Sequence, residues 1–143
     1  MLCLNAIQTV AVNAVAGTAI QQFSAILKEK LCRPVCKDQE IQPMPMLKYS
    51  LEDQRTVGTT TFVDLVVNGK IEYVPKGCKP CQVMTKRIYE RTTLAFTNPS
   101  ATNPSPVISL SQGISDGSLS DTECGIAKGY QVATDLTVTA VYA

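Results

Sequence analysis

The sequence predicts a β-rich α+β domain: an antiparallel sheet with one N-terminal helical segment packed on the sheet or on a neighbouring subunit. Three observations carry that expectation. Gln82–Phe96 is a stretch free of Gly and Pro and rich in β-branched and aromatic residues. Tyr130–Tyr142 alternates apolar and polar residues, the mark of a strand buried on one face. Met1–Leu31 carries no charge before Lys28 and places apolar residues at helical spacing. A chain of 143 residues is one domain by size and is long enough to bury a core.

In chain order, the first helical series is Leu4, Ile7, Val10, Ala11, Ala14 and Val15. The second is Ala19, Ile20, Phe23, Ile26, Leu27 and Leu31, with a bend expected at Gly17-Thr18. Lys28 and Lys30 suit a helix C-terminus, and Pro34 is expected to end the helical region. Gln42–Met46 reads as an extended, Pro-containing connector, and Leu47–Arg55 as a helical turn or a loop. Residues 56–143 then form the antiparallel sheet with its long loops. Thr56–Val67 and Lys70–Val74 read as strands joined by an Asn68-Gly69 hairpin. Pro75–Pro80 is a loop. Gln82–Phe96 presents Val83, Thr85, Arg87, Tyr89, Arg91, Thr93 and Ala95 on one face. The other face carries Met84, Lys86, Ile88, Glu90, Thr92, Leu94 and Phe96. Thr97–Pro106 is a Pro/Asn/Ser loop, Val107–Leu110 a short edge strand and Ser111–Lys128 a long surface loop. Gly129–Ala143 closes the chain as a strand.

Composition narrows function by exclusion. With no His, the Ser-His-Asp and Cys-His catalytic arrangements and His-ligated zinc are out of reach. No acid–base pair and no phosphate-binding glycine spacing stands out, so the chain is not expected to be an enzyme. The N-terminal apolar stretch lacks a positive leader and is interrupted by Asn5, Gln8, Asn13, Gln21 and Gln22. It therefore reads neither as a cleaved signal nor as a membrane span, and the protein is expected in a reducing cytoplasm.

Six cysteines leave three readings open. Cys32-x-x-x-Cys36 and Cys78-x-x-Cys81 together could hold zinc through four thiolates, the basis of an alternative reading as a zinc-stabilised nucleic-acid-binding module. Cys78, Cys81 and Cys124 are disulfide candidates, which would suit a secreted filament or adhesion subunit. Free thiols are the third reading. No other cofactor is expected.

Charge is unevenly spread. Lys70 to Arg91 contains six basic and two acidic residues, whereas Thr92 to the end contains one basic and four acidic. Arg87, Tyr89 and Arg91 project from one strand face, with Lys76 and Lys79 in the preceding loop. Arg and Lys meet phosphates and Tyr stacks on unpaired bases, so these five are candidate nucleic-acid contacts. An ordinary solvated face with cross-strand ion pairs is the competing reading.

From Arg87 onward, a strand ends in Thr97-Asn98-Pro99, a Ser/Thr/Asn-rich loop follows with Cys124 near its end, and a Thr/Val strand beginning at Tyr130 closes the chain. This order of features is similar to that of single-stranded RNA bacteriophage coat proteins. The resemblance covers about the last third. It implies a subunit whose sheet faces RNA and whose loops meet at symmetry axes, with Arg87, Tyr89 and Arg91 on the RNA side. Such proteins usually end in two helices, whereas this chain ends in a strand. Together these readings predict a structural protein that self-assembles as a capsid or coat subunit of a virion made in a host cytoplasm. Its expected partners are copies of itself, with single-stranded nucleic acid as a second candidate, and no membrane.

Overall fold

Every strand the sequence marks for burial on one face finds a second sheet to pack against. A computed structural model gives the placement of residues 2–4, 9–11, 17–36, 43–77 and 82–142. The strands are β1 (Leu2–Leu4), β2 (Thr9–Ala11), β3 (Gly17–Cys36), β4 (Met44–Val57), β5 (Thr60–Tyr73), β6 (Met84–Thr97), β7 (Val107–Glu123) and β8 (Ile126–Tyr142). They form two sheets, β1-β3-β8-β7 and β2-β6-β5-β4. Neighbours are antiparallel except for the short parallel pair β2–β6. There is no helix among the described residues, so the fold is all-β rather than α+β.

The N-terminal helix is the main correction. Residues 17–36, predicted helical to Leu31, form the longest strand, paired with β8 from Gly17↔Tyr142 to Cys36↔Ile126. The burial decides the period: Phe23, Ala25 and Leu27 are buried, while Ile20, which a helical stripe would put in the core, is 62% exposed. Alternate residues face the core, and the helical series was a coincidence of a dense apolar composition. Of the earlier segment, residues 2–4 and 9–11 are strands; the remainder of that predicted helix lies outside the described residues. Pro34 ends no helix: it sits in β3 where the register to β8 shifts between Lys30 and Val35, and a bulge tolerates the missing donor.

The second correction is the hairpin. Asn68 and Gly69 lie inside β5, and the β4–β5 turn falls at Gly58-Thr59, with Gly58 at φ +64°. Gly at the first central position is what a two-residue turn of that hand demands. Gly69 serves packing instead: a Cβ there would stand 2.0 Å from the Met46 carbonyl oxygen on β4. The predicted helical turn or loop over 47–55 is part of β4, and the predicted loop 111–128 is most of β7, the turn and the start of β8. That hairpin turns at Cys124-Gly125, both at positive φ.

Gln82–Phe96 and Tyr130–Tyr142 behave as their alternation predicts. Ile88, Leu94 and Phe96 of β6 and Tyr130, Val132, Leu136, Val138, Ala140 and Tyr142 of β8 enter one core between the sheets. Val63, Leu65, Val67, Ile71 and Tyr73 of β5 meet them from the other sheet. Thr97–Pro106 remains a connection after β6, tied to the sandwich by Thr61 Oγ1 donating to the Pro104 carbonyl (3.1 Å).

Candidate nucleic-acid interface

The core-facing set on β4, β5 and β6 fixes what the other side of that sheet displays. Alternation puts Arg87, Tyr89 and Arg91 of β6 on the outer face, opposite Lys70, Asn68 and Val66 of β5. On β4 the residues opposite these are Met46, Lys48 and Ser50. The face is therefore built of cross-strand rows: Met46–Lys70–Arg87, then Lys48–Asn68–Tyr89, then Ser50–Val66–Arg91, then Glu52–Asp64–Thr93.

These rows differ in charge. The first two contribute Lys48, Lys70 and Arg87. The carboxylate beside them is Glu72, whose Oε1 lies 2.9 Å from Lys70 Nζ. Tyr89 is 62% exposed among them, its ring offered to solvent beside Asn68. Met46 flanks this end and is 40% exposed. A planar aromatic face, an amide and three cations on a rigid sheet form a surface suited to phosphate contact and base stacking.

The last two rows are electrically closed. Arg91 Nη2 lies 2.8 Å from Glu52 and 3.2 Å from Asp53, and its Nε lies 3.6 Å from Asp64. Asp64 also accepts from Thr93 Oγ1 (2.9 Å) and meets Arg55 Nη1 at 3.3 Å. The Thr93 hydrogen bond holds the Asp64 carboxyl below its ordinary range; burial opposes this, and Arg55 and Arg91 add to it. The bulge between Glu52 and Arg55, with Asp53 at φ +54°, swings Asp53 toward Arg91. Arg91 thus spends its charge on three carboxylates, unlike Arg87.

Of the predicted contacts, Arg87 and Tyr89 share the basic end and Arg91 occupies the neutralised end. Lys76 lies in the turn after β5, exposed, with its backbone N–H donating to the Pro34 carbonyl (2.9 Å), so it belongs to the end of the sandwich rather than to the rows. Lys79 lies outside the described residues. Lys48 and Asn68 were missed, because placing a turn at Asn68-Gly69 removes the strand that aligns them with Tyr89. Reading β5 through that dipeptide would have found both.

Cys32, Cys36 and Cys124 lie toward one end of the first sheet. Cys32 is exposed at the β3 bulge, Cys36 is half-buried at the strand end, and Cys124 is exposed at the β7–β8 turn; all three are free thiols. No group of three or more His, Cys, Asp or Glu suited to a metal ion occurs among the described residues, and Cys78 and Cys81 lie outside them. No helix among the described residues is long and apolar enough to cross a membrane. No protein-family model, curated protein or solved structure matches the chain.

Proposed function

We propose that the protein is a structural subunit that assembles with copies of itself into a particle of the capsid or coat kind, with the Lys48–Lys70–Arg87–Tyr89 surface meeting single-stranded nucleic acid. The observation that carries the reading is where large apolar side chains are left outside a complete core. Ile20 (62% exposed), Val57 (69%), Val107 (74%) and Val141 (44%) lie at one end of the sandwich, while Ile114 (78%), Met44 (61%) and Val83 (51%) lie away from it. Val107 pairs directly with Val141, and Ile20 is one diagonal step from Val141, so three strands share one outward apolar patch. Val57 lies at the same end on the other sheet, next to Thr56, which Ser105 Oγ meets at 3.1 Å. Apolar patches at the end of a rigid body are what contacts between repeated subunits bury.

The basic rows give the interior face of such a particle its partner. Their three cations lie on one sheet face, and long-range attraction to phosphate needs no sequence-specific contact. The patch is tested by Ile20→Glu combined with Val107→Glu. Both sites are exposed, so thermal unfolding should stay within about 0.5 kcal/mol of the parent. Particle formation, followed by light scattering, should fall sharply. Undiminished scattering would remove the patch from the assembly contacts.

A further inference from the structure

Assembly leaves open which surface joins the first two copies, and the strand edges answer this. A sheet edge exposes a row of backbone N–H and C=O groups that another chain can pair with. The sandwich has four edge strands: β1 and β7 on one sheet, β2 and β4 on the other. The two N-terminal edge strands are three residues long each and cover only Ala25–Leu27 of β3 and Ala95–Thr97 of β6, so the outer sides of β3 and β6 beyond them are edges too. There Lys28, Glu29 and Lys30 on β3 and Lys86, Arg87, Glu90 and Arg91 on β6 place charges of the kind that blunt an edge. The long ones of the four edge strands are β4, with 14 residues, and β7, with 17.

The β4 edge is blocked at several points. The Gln112 side chain lies against it: Oε1 accepts from Tyr49 N (3.0 Å) and Nε2 donates to the Leu47 carbonyl (3.1 Å). That amide occupies two of the groups a neighbouring strand would use. In an antiparallel ladder the groups turned away from the partner come from alternate residues. Pro45 is therefore the next outward position before Leu47, and it has no N–H to offer. Further along, the bulge between Glu52 and Arg55 breaks the row, and Gln54 Nε2 donates to the Pro106 carbonyl (2.7 Å). Gln112 is itself aimed by a bulge in β7, between Gln112 and Ser115.

Apart from its own bulge between Gln112 and Ser115, the β7 edge has none of these devices. It contains no proline, and among the described residues nothing pairs with the side turned away from β8. Its charges are also segregated. Val107–Gly113 is uncharged, whereas Asp116, Asp121 and Glu123 fall in the later part. Antiparallel pairing of two copies lays the acidic part of each over the uncharged part of the other and keeps like charges apart.

We propose that two copies of the chain join by antiparallel pairing of β7 with β7 across a twofold axis, and that the Gln112 clamp on β4 is what keeps the contact symmetric. A β7-to-β4 contact would be head-to-tail and would extend without closing, whereas β7-to-β7 closes at two. The proposal rests on the self-assembly reading and specifies its first contact.

The test is a pair of double variants of opposite charge at exposed β7 positions, with the smallest stable species measured by sedimentation over a dilution series. Ser109→Asp with Ser111→Asp sets like charges against the partner's acidic part and should raise the dimer dissociation constant about tenfold or more. Ser109→Lys with Ser111→Lys should leave it unchanged or lower it, with greater salt sensitivity. The opposite signs separate pairing from a general loss of folding. In parallel, Gln112→Ala should produce species larger than the dimer that grow with concentration. Wild-type protein that remains a monomer at every concentration would overturn the assembly reading itself. Oligomers indifferent to both charge pairs would leave assembly standing and overturn β7 pairing.

Discussion

Tyr49, Tyr130 and Tyr142 hold their phenols in the core, and the cost appears at alkaline pH. Burial pushes the Tyr49 hydroxyl up to about 12, with the Thr134 side chain working in the opposite direction. Burial also raises Tyr130, helped by Asp116, and raises Tyr142. Tyr130 keeps a partner by donating to the Pro43 carbonyl (3.1 Å). A phenol ionises near pH ~10 when unfolded, so above that the unfolded chain releases protons that the native chain retains. Stability is therefore complete below about pH 10 and falls between there and about 12. Tyr49→Phe removes one such group and should flatten the decline, as measured by urea unfolding at stepped alkaline pH. An unchanged slope would mean that Tyr49 already ionises freely in the folded protein. At the same scale Arg91 illustrates how a charge can be present in sequence and absent in effect: its charge is spent on Glu52, Asp53 and Asp64.

At the level of elements, Gly69 separates packing from turn-making. A Cβ there meets the Met46 carbonyl at 2.0 Å and the Leu47 Cα at 3.0 Å, both of them backbone atoms that cannot swing aside. Gly69→Ala should force β4 away from β5 and cost about 1–3 kcal/mol, read by chemical denaturation. Gly58→Ala, with open space around it, should cost only the strain of a positive φ. The same residue shows why part of the fold was hidden. Asn-Gly is a strong turn signal, but β4 passes so close to β5 that glycine is needed in mid-strand. In β3 a run crowded with Ala, Ile and Leu satisfies both a helical and an alternating pattern, and only the ladder with β8 selects between them. The serine- and glycine-rich sequence of β7 looks like a loop because its outer face is solvated and its apolar contribution is slight. By contrast, β6 and β8 were legible because bulky residues alternate cleanly with polar ones. The site was half legible: Arg87 and Tyr89 follow from that alternation, whereas Lys48 and Asn68 need the register across three strands.

For the whole molecule, the two outer surfaces of the sandwich differ in character. The outer face of the first sheet carries Ile20, Val141 and Val107 at one end, and that of the second carries the basic rows. Lys70→Ala with Arg87→Ala should lower the nucleic acid that co-purifies with particles, measured as the ratio of ultraviolet absorbance from nucleic acid to that from protein. Arg91→Ala should lower it less, because Arg91 is already neutralised by its neighbours. Equal losses from both would mean that the carboxylates release Arg91 when a polyanion arrives. The central claim, that copies of this chain build a particle, is tested most directly by electron micrographs of the purified protein at high concentration. The account predicts closed particles of uniform diameter; a field containing only monomers would contradict it.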